Sequence, residues 1–255
     1  MLSATDIAQF EAEGCVRLAG ALSRDVARRC VDLASEDMGL SDAGPWPEPV
    51  VRGLVLGEAI TEAANSPRLN AAVGQLLEGE AWHRRPNLGL LVVRTPFAGD
   101  PGDTGWHIDS SFQGLDTTNL HDWWVNYRSQ DRGLLLLCLL SEVGVADAPT
   151  RVLRGSHRKM PPLLKAFGEG GVGGSRIPIP PTDDEDVALA TGEAGDVYLC
   201  HPFLVHAASW PHRGTAPRYI AQPPISIDGP LRLDPTGGPL SVVARTVRDA
   251  LDPSK

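Results

Sequence analysis

Short extended runs broken by glycine and proline dominate the middle of the chain. Residues 88–95 form a run of strand length that is rich in leucine and β-branched residues, bounded by Pro86 and Pro96. Further apolar runs cover residues 134–143, 152–153, 196–200 and 219–227. Many short strands with long, irregular connections predict an all-β sandwich or barrel.

The first third of the chain instead carries helical patterns. Ser3 or Thr5 can cap a short helix that ends near Gly14, and Ser23 can cap a longer one that ends near Met38. A loop is expected over residues 42–49, which contain Pro45, Pro47 and Pro49. Helical spacing resumes over residues 58–64 and after Pro67. These helices are expected to pack on one side of the β core.

The chain of 255 residues is long enough for a sizeable core, and its 42% hydrophobic and 22% charged residues are ordinary for a globular protein. We predict one domain over residues 1–255. Residues 1–80 would form a mainly helical cover, residues 81–230 the β core, and residues 231–255 a C-terminal loop and helix. The longest apolar run, residues 134–140, is too short to span a membrane.

Charge narrows the set of partners. The chain has 23 Lys and Arg against 32 Asp and Glu, a formal net charge of −9, so nucleic acid and anionic membranes are not expected to bind. The acidic N-terminus differs from a signal peptide, and a cytoplasmic location is expected. The 4 cysteines contain no Cys-x-x-Cys pair, which argues against a zinc ribbon or redox motif. We expect a small-molecule partner and a monomer or homodimer.

A His-x-Asp pair offers the first chemical signal. On a strand, His107 and Asp109 would lie on one face and could bind one metal ion, although such a pair is common by chance. A facial triad also needs a second histidine on a facing strand, and His206 fits that position. His201 is the alternative ligand, because Pro202 prevents strand alternation from choosing between the two. Arg218, on the next expected strand, could bind a dicarboxylate.

Four blocks of sequence together carry a family resemblance. They are Glu13-Gly14-Cys15-Val16, the segment 106–112 around the His-x-Asp pair, the Gly-Ser-His turn within 150–158, and 195–206 followed by Arg218. With these four blocks in this order, the chain resembles the phytanoyl-CoA dioxygenase family of iron(II)/2-oxoglutarate-dependent oxygenases. The resemblance implies a mainly β fold with flanking helices, built on a double-stranded β-helix, the jelly-roll core of cupins.

The resemblance also implies residue roles. His107, Asp109 and His206 would bind Fe(II), with His201 either packing in the core or contacting a metal ligand from behind. The co-substrate 2-oxoglutarate would be bound by Arg218, Arg94, Thr150 and Ser209. Reaction with O2 would release succinate and CO2. Because a carboxylate occupies position 109, the resemblance implies hydroxylation, desaturation or oxidative cyclisation rather than halogenation.

Aromatic and basic residues near the first motif are candidates for substrate binding. We expect Trp106, His121, Trp124 and Arg128 to line the substrate pocket. Arg128 and Arg151 could instead form surface ion pairs, and core packing could explain some of the aromatic residues. The glycine-rich loop within residues 168–186 is a candidate lid.

The resulting hypothesis is an enzyme that oxidises a C–H bond of a small molecule, similar to bacterial enzymes that tailor antibiotics and other secondary metabolites. The alternative is a metal-binding cupin without oxygenase activity, an isomerase or a sensor, which needs no dicarboxylate anchor such as Arg218. A protein without metal is a third reading, disfavoured because four blocks match in order.

Overall fold

The computed structural model describes residues 1–41, 44–113, 123–181 and 184–252. Within these ranges the fold is mixed α/β with antiparallel sheets. The helices are α1 Ala4–Glu13, α2 Arg24–Met38, α3 Glu58–Ala64, α4 Pro67–Leu76, α5 Ser156–Lys165 and α6 Val242–Leu251. The strands are β1 Cys15–Leu18, β2 Val50–Leu54, β3 Leu90–Arg94, β4 Phe112–Gln113, β5 Trp123–Val125, β6 Leu134–Leu139, β7 Thr150–Leu153, β8 Val172–Gly173, β9 Val187–Ala190, β10 Val197–Cys200, β11 His206–Ala207, β12 Arg218–Ala221 and β13 Pro224–Ile225.

Local capping signals set the ends of the first helices, as predicted. Ser3 and Asp6 form a reciprocal capping box at the start of α1, which ends where Gly14 adopts a left-handed conformation at φ 84°. The Ser23 hydroxyl accepts a hydrogen bond from the Val26 amide at the start of α2. Pro67 lies in the first turn of α4, where its missing amide proton costs nothing.

The main sheet has 7 strands in the order β1-β10-β6-β12-β3-β2, and β13 also pairs with β6. Smaller antiparallel sheets have the orders β11-β7-β9 and β4-β5-β8. Strands β1 and β2 come from the segment that we expected to be a helical cover, so the β core begins before residue 81. The expectation of a mainly β fold was too strong, because α5 continues where the sequence suggested only a turn.

The two histidines of the predicted triad lie opposite each other on the backbone. His107 and His206 form an antiparallel bridge in which each amide donates to the other's carbonyl, at 3.0 and 2.9 Å. The bridge is isolated, so residues 107–109 do not form the continuous strand that we expected. The pairing nevertheless fixes the distance between the two imidazole rings.

Part of the predicted lid is tied into a sheet. Val172 and Gly173 form β8 and pair with Val125 and Trp124 of β5. The preceding Gly171 has φ +74°, and a Cβ there would lie 2.4 Å from the Val125 carbonyl oxygen. Only glycine allows this close approach, so the segment near residue 172 is held against the sheet.

A large apolar core takes residues from the first helix to the last, including Phe10, Leu136 and Val247. Strand β6 is buried along its entire length and contributes Leu134, Leu136 and Cys138 to this core. In the described part of the chain, no helix combines the length and the apolar character needed to cross a membrane.

Candidate metal centre

Three side chains converge in the geometry of a metal site. The Nε2 atoms of His107 and His206 lie 4.0 and 3.9 Å from Asp109 Oδ1, and one ligand atom from each residue lies within 4.8 Å of the others. The two imidazole rings are 4.4 Å apart between centroids. Two imidazole nitrogens and one carboxylate oxygen form the donor set of a 2-His-1-carboxylate facial triad.

Backbone contacts prepare both histidines to bind a metal. His107 Nδ1 donates to the Gly105 carbonyl at 2.8 Å, and His206 Nδ1 donates to the Leu204 carbonyl at 3.0 Å. A proton on Nδ1 leaves the Nε2 lone pair free to face Asp109. Burial lowers the pKa of His206 and outweighs the opposing effect of Asp109, so this ring is neutral at pH 7.

Arg132 holds the third ligand and was not predicted. Its Nη1 lies 3.0 Å from Asp109 Oδ2, and its Nη2 donates to the Ser110 carbonyl at 2.6 Å. Burial raises the pKa of Asp109, but His206, Arg132 and His107 together hold it below its ordinary value. The carboxylate is therefore ionised, with Oδ1 facing the histidines and Oδ2 facing Arg132.

A basic cavity of about 300 Å³ adjoins the two histidines. Arg218 and Arg94 face each other across β12 and β3, and they are only 2% and 3% exposed. The cavity is lined by Arg52, Val92, Arg94, Asp103, His107, Thr150, His206, Ala208, Arg218, Ile220 and Gln222. Like charges directly opposite on a sheet are destabilising, so this arrangement favours an anionic guest.

The arginine charges are only partly compensated inside the protein. Arg94 forms an ion pair with Asp103, and Arg218 donates to the Ala148 carbonyl. The Nε atoms of both arginines are buried and lack a hydrogen-bond partner among the described residues. Burial and then the neighbouring Arg94 lower the pKa of Arg218 to about 9, so it remains charged at pH 7. A carboxylate in the cavity would supply the missing acceptor.

Of the two other residues predicted to bind the co-substrate, one lines the basic cavity and one does not. Thr150, at the start of β7, is buried and lines the cavity. Ser209 is not part of that lining: its hydroxyl donates to the Pro149 carbonyl at 2.6 Å, and it borders a separate small cavity. Arg52 and Asp103 also line the basic cavity, but the sequence did not predict them. Strand β2, which carries Arg52, was not predicted, and no sequence motif marks Asp103.

The predicted substrate residues do not line the basic cavity. The Arg151 guanidinium lies 4.7 Å from the Trp106 ring centroid, and Trp106 packs on the apolar core. Trp124 lies beside Gly173 and under Arg176, whose guanidinium is 5.7 Å from its ring centroid. Core and cation–π packing thus account for both tryptophans.

The two basic candidates make structural contacts. Arg128 forms an ion pair with Glu169 at 3.1 Å, as the alternative interpretation expected. Arg151 is not in an ion pair among the described residues. It donates to the carbonyls of Thr104 and Ala208 and joins the segments that carry His107 and His206. His121 lies outside the described residues.

His201 is placed away from the triad. Its Nε2 lies 3.0 Å from the Thr246 hydroxyl, and its Nδ1 accepts from the Phe203 amide at 3.2 Å. The ring is buried next to His157, 4.9 Å away between centroids. Of the two candidate histidines, His206 is therefore the one that lies with His107 and Asp109.

Comparison with known proteins defines the class. The family model for phytanoyl-CoA dioxygenase (PhyH) matches residues 42–219, and the chain belongs to this family. This confirms the resemblance carried by the four sequence blocks. No curated protein gives a significant match.

Several solved structures share the fold at low sequence identity. EvdO2 from Micromonospora carbonacea var. aurantiaca, complexed with 2-oxoglutarate, is 17% identical with a TM-score of 0.59, covering 90% of this chain and 92% of that one. HygX from Streptomyces hygroscopicus, with nickel, 2-oxoglutarate and hygromycin B bound, is 16% identical with a TM-score of 0.56 and coverages of 90% and 88%. The epimerase SnoN, in complex with Fe3+, alpha ketoglutarate and nogalamycin RO, is 15% identical with a TM-score of 0.54 and coverages of 88% and 82%.

Proposed function

We propose that this protein is an Fe(II)/2-oxoglutarate-dependent oxygenase that oxidises a C–H bond of a small molecule in secondary metabolism. The observation that carries the proposal is a His-Asp-His triad opening onto a cavity with two buried, facing arginines. The antiparallel sheets around the triad support a double-stranded β-helix core. The ligand-bound structures of EvdO2, HygX and SnoN add support, because they share the fold.

The residues present fit both groups that this function requires. Two imidazoles whose Nδ1 atoms are taken up by backbone carbonyls and one ionised carboxylate suit Fe(II) and would leave coordination positions open. The basic cavity next to these atoms suits a dicarboxylate, since Arg218 and Arg94 have buried donors without partners among the described residues. We assign His107, Asp109 and His206 to iron and Arg218, Arg94 and Thr150 to 2-oxoglutarate.

When bound, iron with 2-oxoglutarate and O2 supplies an oxidant for a C–H bond and yields succinate and CO2. The chain contributes position and charge. Gly105 and Leu204 fix the two imidazole rings through their carbonyls, and Arg132 leaves Asp109 Oδ1 directed at the metal position. Arg218 would orient the dicarboxylate in the basic cavity.

Arg218 gives the most specific test of this function. Replacing Arg218 with Met should weaken 2-oxoglutarate binding by about 10- to 100-fold, because a charged hydrogen-bonded contact is worth about 1.5–3 kcal/mol. Iron affinity should stay unchanged, and succinate formation should require a higher 2-oxoglutarate concentration. Arg128→Met is the matched control, since Arg128 pairs with Glu169 instead.

Equal 2-oxoglutarate affinity in wild type and Arg218→Met would contradict the assignment. Metal binding with no 2-oxoglutarate binding in the wild type would favour the alternative, a cupin that acts as an isomerase or sensor.

A further inference from the structure

A second cavity, of about 450 Å³, has in its wall Arg132, the residue that contacts the carboxylate of Asp109. Arg132 links this cavity to the candidate metal centre, because it lines the cavity while its Nη1 contacts Asp109 Oδ2 at 3.0 Å. Ser110, the residue after Asp109, also lines it. The described residues that line it are Ser110, Ser111, Phe112, Gln113, Trp123, Asp131, Arg132, Pro224 and Ser226. A molecule in this cavity would border the arginine that contacts Asp109 without occupying the basic cavity.

Ser111 is an unpartnered polar group in the wall of this cavity. The residue is only 7% exposed, and its amide is fixed by a hydrogen bond to the Trp124 carbonyl at 2.7 Å. Its hydroxyl oxygen has no partner in the part of the chain that the structure describes. A buried hydroxyl without a partner is destabilising, so a hydrogen-bonding ligand there would remove that penalty.

Trp123 supplies a flat apolar surface in the same cavity. It lies opposite Gln113 in the β4/β5 pair and is 44% exposed, although it is a large aromatic residue. Cross-strand partners lie on one face of a sheet, so an indole and an amide border the same space. An exposed aromatic ring surrounded by hydroxyl and amide groups suits a ligand with C–H faces and hydroxyl edges.

The charges of this cavity are balanced, unlike those of the basic cavity. Arg132 faces the ionised Asp109, and the Asp131 carboxylate accepts a hydrogen bond from the Gly229 amide at 3.2 Å. The other polar groups among the described lining residues are neutral serines and a glutamine. A neutral ligand therefore suits the cavity better than an anion.

We propose that this cavity binds the substrate through a neutral polyhydroxylated ring, a sugar or cyclitol unit. The ring stacks on Trp123, and one hydroxyl pairs with Ser111. The proposal rests on the proposed oxygenase function and adds the chemical class of the substrate.

Saturation-transfer-difference NMR on the full chain, loaded with Zn(II) and 2-oxoglutarate, tests this directly. The probes are methyl β-glucopyranoside and myo-inositol, with benzoate and indole as an anionic and a flat aromatic comparator. We expect transfer to the ring hydrogens of the two polyols. The affinity should fall about tenfold in Trp123→Ala and in Ser111→Ala, since each removes about 1.4 kcal/mol of contact.

Two controls separate binding from folding. Trp124→Phe, which changes the neighbouring residue that packs beside Gly173, should keep wild-type polyol binding. Ser111→Ala should not lower the unfolding temperature, because it removes an unpaired hydroxyl. No transfer to the polyols, unchanged affinity in Trp123→Ala, or preferred binding of benzoate or indole would each overturn the proposal. Intact 2-oxoglutarate binding in the same sample would show that only the substrate class had failed.

Discussion

Two pairs of histidines lie in this protein at similar ring separations, with different consequences. The rings of His107 and His206 are 4.4 Å apart between centroids, and those of His157 and His201 are 4.9 Å apart. The first pair shares a carboxylate, Asp109, and borders a cavity. The second pair has no carboxylate among its described hydrogen-bond partners, which are a carbonyl, a hydroxyl and an amide.

The second pair is buried between three helices. His157 lies in the first turn of α5, 3.2 Å from the Glu11 carbonyl of α1, and His201 contacts Thr246 of α6. Burial lowers the pKa of His157 to about 4 and that of His201 well below its ordinary value. Both rings are therefore neutral packing groups. The comparison shows that an adjacent carboxylate and an open space make a histidine pair a candidate metal site.

The largest effect is expected at the carboxylate that distinguishes the pairs. Asp109→Ala should reduce iron- and 2-oxoglutarate-dependent succinate formation by about 100-fold or more, because removing a ligand costs more than the 10- to 100-fold seen for groups behind it. His157→Gln serves as the control and should keep wild-type turnover per folded molecule. Full turnover in Asp109→Ala would show that the triad is not the active centre.

A fall in pH should destabilise the fold through the second histidine pair. A folded-state pKa near 4 lies below the unfolded value of 6.5, so the unfolded chain binds the proton more readily between these values. His157 should therefore lower the free energy of unfolding by about 3 kcal/mol as pH falls from 6.5 to 4. His201 acts in the same direction. Urea unfolding at several pH values gives the free energy of unfolding as a function of pH, and this free energy should depend less steeply on pH in His157→Gln than in the wild type. The same pH dependence in both proteins would contradict this account.

A smaller effect is expected from the hydroxyl that holds His201. Thr246→Val removes the contact to His201 Nε2 and should destabilise the fold by about 1 kcal/mol. Metal affinity should be unchanged, because Thr246 contacts only the second pair among the described histidines. A loss of metal binding in this variant would mean that the two pairs are coupled.

Local signals made part of this structure predictable. The N-terminal starts of α1, α2 and α4 follow from Ser3, Ser23 and Pro67, because these residues act within one helical turn of their own position. The His-x-Asp pair and His206 were found because motifs in a fixed order are specific. By contrast, α5 contains Pro161 and Pro162, which oppose helix formation, and its packing on α6 overrides them.

Residues brought in by tertiary pairing could not be predicted. Arg132 reaches Asp109 and Arg52 reaches the basic cavity only after the sheets assemble. The choice between Trp123 and Trp124 had the same difficulty, because adjacent strand residues face opposite sides and nothing local marks the cavity side. We expected Trp124 in a pocket, and Trp123 lines one instead.

Anaerobic titration with Fe(II) and then 2-oxoglutarate tests the central claim most directly. The readout is the weak visible charge-transfer band of an iron-chelated 2-oxo acid. Wild type and Thr246→Val should both develop the band. His206→Ala should not, because His206 belongs to the pair that shares Asp109, whereas Thr246 contacts the other pair. A full band in His206→Ala, or no band in the wild type, would contradict the assignment of this pair to iron.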